Sequence, residues 1–561
     1  MKFFNKVMTI LFVFVLVFSN YDLSFSSASS VTAEREQKIR QVLNLSQSNP
    51  LVTSKQVTYV NPPVATQASY VQNIDDYHLH EYFFATNGGE FEVFSQHNDE
   101  APIDYIIYHF GTDEIVEPLE GNRYQLEQGA YYFAVFGYSD QPVPYEFQLN
   151  GPFSEQPSAT LPSLQMSKPA SHNIRLPKGS SPVFPITGST SDAYHLRLEV
   201  NYDQEFDLPV PGAFSEDYAV LGNGFNEITF TATRVGGNQL TSIHNIILPG
   251  VTRIMGSDRY AVSGNVSSTL NHWGYNSGTI VMARGDLYPD ALSGGALAYL
   301  EDAPILLTKT TSLPDIIIRK IKDLGAERAI ILGGLGSVSE NVENQLFDLG
   351  IMEIERYEGK DRYEVSANIA EEVSYYSETD TAIIASGMVF PDALSASTLS
   401  GPMGMPILLT RTDSVPDSIQ MFIKDHPEIT NFIVVGGPAT VNEKVVSKIK
   451  SIQPGSVVTR IGGKNRYEVS VNVAKYAMNY YGLELGTVAV ARGDLFPDAL
   501  SGAPLANYFG APILLTPTSK VDETVNSFLM NNRNQLEHIY ILGGTGSVST
   551  TTENQLFNLI R

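Results

Sequence analysis

Cysteine is absent from this 561-residue sequence, and tryptophan occurs once. Without thiols the protein has no disulfide bonds, and neither a cysteine nucleophile nor a zinc site with cysteine ligands is available to it. An exported protein of this size without cysteine is more typical of Gram-positive bacteria than of a eukaryotic secretory route.

Basic residues are few, since 36 Lys and Arg stand against 61 Asp and Glu and give a net charge of −25. The excess of acidic over basic residues is greatest in residues 34–250, which carry 26 acidic and 10 basic residues. Residues 251–561 carry 34 acidic and 24 basic residues. An acidic surface repels phosphate groups, so the composition argues against nucleic acid as a partner. The length predicts about three to five domains.

Long apolar runs are missing beyond the first segment of the chain. Residues 1–28 begin with two lysines, continue with an apolar run over 7–18 and end in small residues. This order is typical of a secretory signal peptide, with cleavage after Ala28 or Ala33. Because a mainly apolar run of twelve residues is too short to span a bilayer, we expect a secreted chain without a transmembrane segment in its mature form.

Common catalytic signatures are also lacking. The sequence has no HExxH, no GxSxG, no Walker loop and no GxGxxG. A catalytic pair of carboxylates of the glycosidase type is not excluded by the sequence, because acidic residues are plentiful. The sequence therefore indicates no enzyme, and we assign no catalytic residue, cofactor or metal ligand.

An RGD tripeptide is present, but it lies inside a longer repeated block. The segment ARGDLYPDALSG (283–294) matches ARGDLFPDALSG (491–502) at 11 of 12 positions. Between them, ASGMVFPDALSA (385–396) keeps 8 of 12 residues of the last copy and has Ser386 and Met388 in place of the Arg and Asp. The repeating unit is thus the whole block, which disfavours an adhesion signal.

Other motifs repeat with the same period. The opening motif places Arg259, Arg362 and Arg466 at spacings of 103 and 104 residues, and glycine pairs begin at Gly333, Gly436 and Gly543. A period near 100 residues is about that of a small domain. Within each copy, uninterrupted apolar runs alternate with helical patterns, which predicts a parallel sheet buried on both faces. We predict that each copy is a small three-layer α/β unit.

The ordered set RY, PDALS, PILLT and a glycine pair after an apolar run (ILGG, VVGG and ILGG) is present three times and resembles the cell-wall-binding repeat 2 family of surface proteins and wall hydrolases. The resemblance implies three repeats, at 253–350, 356–450 and 460–561, packed as a pseudo-trimer that attaches non-covalently to an anionic, teichoic-acid-like wall polymer. It also assigns anchoring to the PILL motif, although its apolar residues favour a buried strand. The motif comprises Pro304, Ile305, Leu306, Leu307, Pro406, Ile407, Leu408, Leu409, Pro512, Ile513, Leu514 and Leu515.

Charged residues of the repeats are candidates for polymer binding. The PDALS aspartate caps its helix or belongs to a ligand crevice at the carboxyl ends of the strands, and we favour the cap. Arg284 and Arg492 are suited to phosphate or carboxylate, and Asp286 and Asp494 would orient or neutralise them. The opening arginines either pack and pair structurally or contact ligand. The candidates are Arg259, Arg284, Asp286, Asp290, Arg362, Asp392, Arg466, Arg492, Asp494 and Asp498.

The amino-terminal part of the chain is β-patterned after a helix and linker at 34–67. Residues 68–153 resemble the β-sandwich of the pre-peptidase C-terminal type, and residues 161–250 resemble a bacterial immunoglobulin-like domain. His78 and His80 alternate along one strand and could bind a metal, but a half-exposed strand face is the favoured interpretation. We assign no chemistry to either region.

Together these features predict a multidomain protein with two all-β sandwich domains followed by three α/β repeats. The predicted function is that of a secreted, S-layer-like surface protein of a Gram-positive cell wall, which displays its β-domains. Three modest sites in one chain would reach firm retention through avidity. The alternative is a cell-wall hydrolase, or a modifier of one, with a cryptic site.

Overall fold

The computed structural model describes residues 65–95 and 101–560, apart from 113, 120, 140, 202–203, 274, 276, 289 and 378, and describes only the backbone of 216–218. The predicted signal peptide and most of the segment at 34–67 lie outside these residues. Two compact units are present, which we call the β unit, mainly residues up to 246, and the repeat unit, mainly residues from 247 on. None of the helices in the described ranges has the length and apolar content needed to cross a membrane.

Thirteen strands are described before residue 249. They are β1 (Ala65–Ile74), β2 (His78–Ser95), β3 (Ile103–His109), β4 (Arg123–Gly137), β5 (Val143–Phe153), β6 (Gln165–Lys168), β7 (Asn173–Arg175), β8 (Val183–Thr190), β9 (Ala193–Val200), β10 (Gln204–Asp207), β11 (Gly212–Val220), β12 (Gly224–Arg234) and β13 (Gln239–Leu248). One sheet follows the order β1-β5-β2-β13-β12-β9-β10, with β3, β4 and β7 paired to its members, and a second follows β11-β8-β6.

A single sheet connects the two predicted β-domains. Strand β2 pairs antiparallel with β13, from Gln239 opposite Glu81 to Ser242 opposite His78. The prediction of two separate sandwiches is therefore not met, because the first four residues of β2 offer backbone groups to β13, whereas β5 pairs with β2 only from Thr86 onward. Ile243 of β13 accordingly belongs to the same apolar cluster as Leu79 and Phe83 of β2.

The repeat unit consists of parallel strands and helices in alternation. Its strands are β14 (Gly250–Ile254), β15 (Thr279–Arg284), β16 (Ile305–Thr308), β17 (Arg328–Leu332), β18 (Glu353–Tyr357), β19 (Thr381–Ser386), β20 (Ile407–Thr410), β21 (Asn431–Val435), β22 (Val457–Ile461), β23 (Thr487–Arg492), β24 (Ile513–Thr516) and β25 (His538–Leu542). Its helices are α1 (Arg259–His272), α2 (Gly294–Leu300), α3 (Asp315–Asp323), α4 (Glu340–Asp348), α5 (Arg362–Ser377), α6 (Pro391–Ser400), α7 (Asp417–Asp425), α8 (Glu443–Ile452), α9 (Arg466–Tyr481), α10 (Pro497–Tyr508), α11 (Glu523–Asn531) and α12 (Thr550–Ile560).

Each repeat has a four-stranded parallel sheet whose last strand comes from the start of the next copy. The first two sheets follow the orders β16-β15-β17-β18 and β20-β19-β21-β22. In the third, β14, which precedes the first repeat, pairs in parallel with β25, from Gly250 opposite His538 to Ile254 opposite Leu542. The array of three repeats is thereby closed into a ring.

The ring has a common core. Helices α2, α6 and α10 pack against one another in all three pairings. They are rich in small residues, such as Ala296, Ala396 and Ala503, whose buried side chains allow the close approach of these helices. The structure thus contains the three-layer α/β repeats and the threefold arrangement predicted from the sequence.

Candidate functional site

Three equivalent sites, which we call the inter-repeat sites, lie at the carboxyl ends of the central strands where neighbouring repeats meet. Each combines an aspartate and a hydroxyl group of one repeat with the opening arginine of the next copy around the ring. The groups are Asp290, Ser337 and Arg362 at the first site, Asp392, Thr440 and Arg466 at the second, and Asp498, Ser547 and Arg259 at the third. The fold thus places the three arginines predicted as ligand candidates near the three PDALS aspartates that were also predicted as candidates.

The PDALS aspartates bind the loops that follow the third strands and do not cap their helices. Thr440 donates to Asp392 at 2.7 Å and Ser547 to Asp498 at 2.6 Å, and Ser337 bonds Asp290 in the same way. Neither α6 nor α10 receives a side-chain cap, and α2 begins only at Gly294. The favoured capping interpretation is therefore wrong, because the carboxylate points across to the neighbouring loop.

Packing explains why the first residue of each glycine pair is glycine. Gly333, Gly436 and Gly543 have φ angles of +101°, +115° and +103°, which disfavour other residues. A Cβ atom at these positions would also lie only 2.2–2.4 Å from Oδ2 of Asp290, Asp392 or Asp498. The first glycine of each pair therefore admits the aspartate side chain.

Burial dominates the electrostatics of these carboxyl groups. It raises the pKa of Asp392, while the hydrogen bond from Thr440 and the charge of Arg466 act in the opposite direction. The pKa values of Asp290 and Asp498 are also raised for the same reason. Each site thus holds a carboxyl group that takes up a proton more readily than an exposed aspartate does.

The opening arginines are held by two structural contacts each. Nη1 of Arg362 donates to the carbonyl oxygen of Gly387 at 2.6 Å, and its guanidinium lies 6.0 Å from the ring centre of Tyr288 in the preceding repeat. Arg466 and Arg259 make the corresponding contacts with Phe390 and Phe496. Each arginine is thus preorganised by its own repeat and by its neighbour.

The three aromatic rings meet one another. Tyr288, Phe390 and Phe496 form a triangle with centroid separations of 5.4–5.9 Å. Aromatic pairs at these distances are attractive, and the cations above their faces add to the contact. This triangle connects the three inter-repeat sites.

The arginines of the RGD segments are paired locally. Nη2 of Arg284 lies 2.8 Å from Oδ2 of Asp286, and Arg492 contacts Asp494 at the same distance. The hydrogen bond from Arg284 holds the pKa of Asp286 below its ordinary value. These aspartates therefore both orient and partly neutralise their arginines.

The second repeat departs from this pattern. Ser386 is fully buried and accepts a hydrogen bond from the backbone of Met388 at 3.1 Å. An exposed arginine from the end of β20, Arg411, lies 5.1 Å from the ring centre of Tyr363. The second repeat thus presents a cation from a different strand.

A cavity of about 680 Å³ opens at the first site. Asp290, Ser337 and Arg362 line it together with Lys360 and the glycine loop at 334–336. Three further carboxylates, Glu358, Asp361 and Glu364, also line it, and Lys360 lies 3.7 Å from Glu364. Hydroxyl, carboxyl and cationic groups around one cavity can bind the hydroxyls and charged groups of a glycan.

The residues of the PILL motif are buried, as their apolar character predicted. Ile305, Leu306 and Leu307 are at most 1 % exposed, as are the equivalent residues of the other repeats. Their strands lie at sheet edges, where the backbone needs another partner. Buried serines of helices α1, α5 and α9 provide it: Ser263, Ser366 and Ser470 accept from Leu307, Leu409 and Leu515 at 3.0–3.1 Å.

Sequence reasoning missed these serines and also a second set of arginines. Arg253, Arg356 and Arg460 donate to the carbonyl oxygens of Gly543, Gly333 and Gly436 at 2.6–3.0 Å. Each of these arginines also pairs with a glutamate on the last helix of a repeat, as Arg460 does with Glu443 at 2.9 Å. Their spacing of 103 and 104 residues was the available signal.

The order of motifs, the ring of three repeats and their shared sites agree with a match to a family of known proteins. Residues 253–343, 356–446 and 460–553 match the family described as cell wall binding domain 2 (CWB2). The chain carries three repeats of the CWB2 family. The resemblance predicted from the motifs is thereby confirmed for this part of the chain.

Relatives and a solved structure are similar to this chain over part of its length. The N-acetylmuramoyl-L-alanine amidase LytC of Bacillus subtilis is 32 % identical over 308 residues, which are 55 % of this chain and 58 % of that protein. The amidase enhancer of the same organism is 32 % identical over 305 residues, or 54 % and 40 %. The chain thus spans about half the length of these curated relatives. Cwp6 from Clostridium difficile has a TM-score of 0.53 at 21 % identity and covers 71 % of this chain and 68 % of its own, which supports the fold.

Proposed function

We propose that this protein is held at a Gram-positive cell wall by its CWB2 repeats, which bind an anionic wall polymer at the inter-repeat sites. The observation that carries the proposal is the same group of aspartate, hydroxyl and arginine, built three times around a closed ring. The β unit is then the displayed part of a secreted, non-catalytic protein.

Local chemistry supports binding despite the net charge of −25. A guanidinium group has five N–H donors, and the contact of Arg362 with Gly387 uses only part of them. The others suit a phosphate or carboxylate of the polymer. Charges more than about 8–10 Å away are largely screened at physiological salt, so the distant carboxylates weaken binding little. The cations of the first site then have to outweigh only the carboxylates that line the same cavity.

Three sites in one ring increase retention. A polymer chain held at one site meets the next at an effective concentration in the millimolar range, so weak sites add up to firm binding. The buried side chains of the PILL motif stabilise the sheets of the three repeats. We propose that the motif anchors the protein by keeping the repeats in shape.

A modifier of wall hydrolases is the second candidate, because two relatives are named as an amidase and an amidase enhancer. The match to the amidase covers only the repeats, which favours a binding role over catalysis. In this alternative the protein would change the rate at which a separate hydrolase cleaves the wall.

Sedimentation of the full chain with isolated walls tests the proposal. We expect the protein to sediment with intact walls and to stay in solution when anionic polymers have been extracted from them. Undiminished binding to extracted walls would refute an anionic ligand. Release of sugars or peptides from walls by the protein alone would refute the non-catalytic assignment, and faster release only when an amidase is added would favour the second candidate.

Matched variants locate the binding site. The triple variant Arg259→Gln, Arg362→Gln and Arg466→Gln should lose at least tenfold in wall affinity. The control removes the same charge at the exposed positions Arg319, Lys448 and Arg533 and should bind almost as the unmodified protein does. Because the first three arginines also stabilise the ring, the Lys360→Gln and Lys464→Gln variant tests two exposed cations beside the same motif. Equal binding by all variants would place the ligand elsewhere.

A further inference from the structure

The β unit contains a cluster of possible metal ligands, which we call the His172 cluster. Asp75, His78 and His172 each offer one ligand atom, and these atoms all lie within 4.8 Å of one another. We propose that this cluster is a binding site for a divalent transition-metal ion of the zinc class. This site is independent of the wall-binding role of the repeats.

Strand β13 brings the three residues together. His78 opens β2 and lies opposite Ser242 of β13. His172 immediately precedes β7, which also pairs with β13, and its Nδ1 atom lies 2.8 Å from the carbonyl oxygen of Ile243. Asp75 lies in the turn between β1 and β2, where its Oδ1 atom accepts from the backbone of Tyr77 at 3.0 Å. Ligands from two distant parts of the chain thus share one scaffold.

The hydrogen bonds fix which atom of His172 is available. A carbonyl oxygen can only accept, so Nδ1 of His172 carries the proton and donates it to Ile243. The lone pair is then on Nε2. Metal-binding histidines commonly donate their second ring nitrogen in this way, which fixes the tautomer and the ring orientation.

Stacking holds the ring of His172 in place on both sides. Its centroid lies 4.7 Å from Tyr77 at an interplanar angle of 5°, and 4.4 Å from His244 at 24°. Both nitrogens of His244 have partners of their own, Ser171 and Ser242, each at 3.1 Å. His244 therefore positions His172 and is not itself a ligand.

His78 and Asp75 complete the donor set. Nδ1 of His78 lies 2.6 Å from Oδ1 of Asp75, and their side chains are 27 % and 11 % exposed, which leaves the cluster open to solvent. Metal-to-ligand distances of about 2.0–2.2 Å separate tetrahedral ligands by about 3.3 Å, so a small shift of the His78 side chain would admit the ion. Two imidazoles, a carboxylate and an open fourth position form a set that zinc accepts, whereas Ca²⁺ and Mg²⁺ prefer oxygen ligands.

His80 does not belong to the cluster, although it was the partner suggested for His78. It is only 6 % exposed, so the expected half-exposed strand face is wrong for this residue. Its Nδ1 atom lies 2.8 Å from the hydroxyl of Tyr145, and burial lowers its pKa to about 3. The actual second histidine, His172, is 94 residues beyond His78 in the sequence.

Zinc titration of the full chain tests this proposal. After treatment with a chelator, we expect calorimetry with Zn²⁺ to show one ion bound per chain with a micromolar or lower Kd. Saturating Zn²⁺ should raise the Tm, because it connects the turn after β1 to the segment before β7. With Co²⁺ as a probe, absorption bands of a site with fewer than six ligands should develop over the same range.

Variants assign the site. His172→Gln and His78→Gln should each weaken zinc binding at least tenfold and remove the cobalt bands. The control His195→Gln changes a histidine that contacts a single carboxylate, Asp207, at 2.7 Å, and should bind as the unmodified chain does. A second control, His426→Gln, covers a histidine with two carboxylate neighbours on opposite ring nitrogens.

Circular dichroism identifies any variant that fails to fold, and if His172→Gln is one of them, His78→Gln decides. Absence of zinc binding by the unmodified chain would overturn the proposal. So would binding that is unchanged in folded His78→Gln, or lost only in His426→Gln.

Discussion

Oδ2 of Asp392, in the first turn of α6, accepts a hydrogen bond of 2.7 Å from Oγ1 of Thr440, which lies 48 residues further along the chain. Asp392 is 5 % exposed, and the charge of Arg466 from the third repeat acts on it. The same relation recurs at Asp290 and Asp498. The aspartate of the PDALS motif thus joins a helix and a loop of its own repeat beside an arginine of the next.

Replacing Asp392 should alter the pH dependence of stability. Burial raises the pKa of Asp392 above its ordinary value of 3.8, so the folded state binds the proton more tightly than the unfolded state. The contribution of this group to the free energy of unfolding is then fully present below pH 3.8 and declines as the pH rises through the folded pKa. Relative to Asp392→Asn, the unmodified protein should lose stability over this window in urea unfolding. A constant difference between the two would contradict the burial effect, and Asp417→Asn serves as an exposed control.

Gly543→Ala should destabilise the third inter-repeat site. The new Cβ atom would lie 2.2 Å from Oδ2 of Asp498, on a backbone with φ of +103°. We expect a loss of about 1–3 kcal/mol in the free energy of unfolding, measured by chemical denaturation. The matched control is Gly546→Ala in the same loop, where no atom lies within 4 Å of the added carbon. Equal stability of the two variants would refute the steric role of the glycine pair.

Ser366→Ala should weaken the sheet edge of the second repeat. Ser366 is completely buried and accepts from the backbone of Leu409 at 3.0 Å, so its removal leaves that N–H group without an acceptor. The expected cost is about 1–3 kcal/mol. Ser451→Ala, on an exposed face of α8, should cost less than about 0.5 kcal/mol. Thermal unfolding compares the two variants. Similar Tm values would contradict the role of Ser366 as the hydrogen-bond acceptor at the sheet edge.

Leu408→Ala tests how the PILL motif acts. Leu408 is fully buried in β20, so truncation should cost about 2–5 kcal/mol. We expect wall retention to fall only at temperatures where the variant unfolds, and to be normal while it is folded. Loss of binding by a fully folded variant would instead indicate direct contact between this motif and the polymer.

Arg411→Gln tests whether the second repeat contributes a cation of its own. Arg411 lies over Tyr363 in the repeat that has Ser386 and Met388 where the other two have Arg and Asp. We expect wall affinity to fall about two- to fivefold at low salt and less at high salt, because one exposed charge is removed. Lys448→Gln removes another exposed charge, from α8, and should leave the affinity unchanged. Equal affinity of the two variants would leave Arg411 no part in binding.

Local pattern was sufficient for much of the fold. The apolar runs around Leu306 and Leu408 predicted buried parallel strands, and the period near 100 residues predicted three equal units. The opening arginines were recognised as members of one set because they recur at equal spacing. Their neighbours Arg253, Arg356 and Arg460 recur as regularly, but nothing in the pattern distinguished their pairing with glutamates from solvent exposure.

Contacts between distant residues were not predictable in the same way. The capping interpretation of Asp392 followed from its place in a first helical turn, and it failed because a hydroxyl from another loop competes for the carboxylate. Likewise, the pairing of β2 with β13 joined two regions that had separate strand patterns.

By itself the sequence determined the composition, the threefold repeat, the alternation of strands and helices and the absence of thiol chemistry, since these depend on residue type and spacing. Only the tertiary structure decided that β14 closes the ring on β25, that each arginine faces the aspartate of the preceding repeat, and that His172 joins Asp75 and His78. The physical reason is that such contacts depend on how strands far apart in the chain pair and pack, and spacing along the sequence does not encode that geometry.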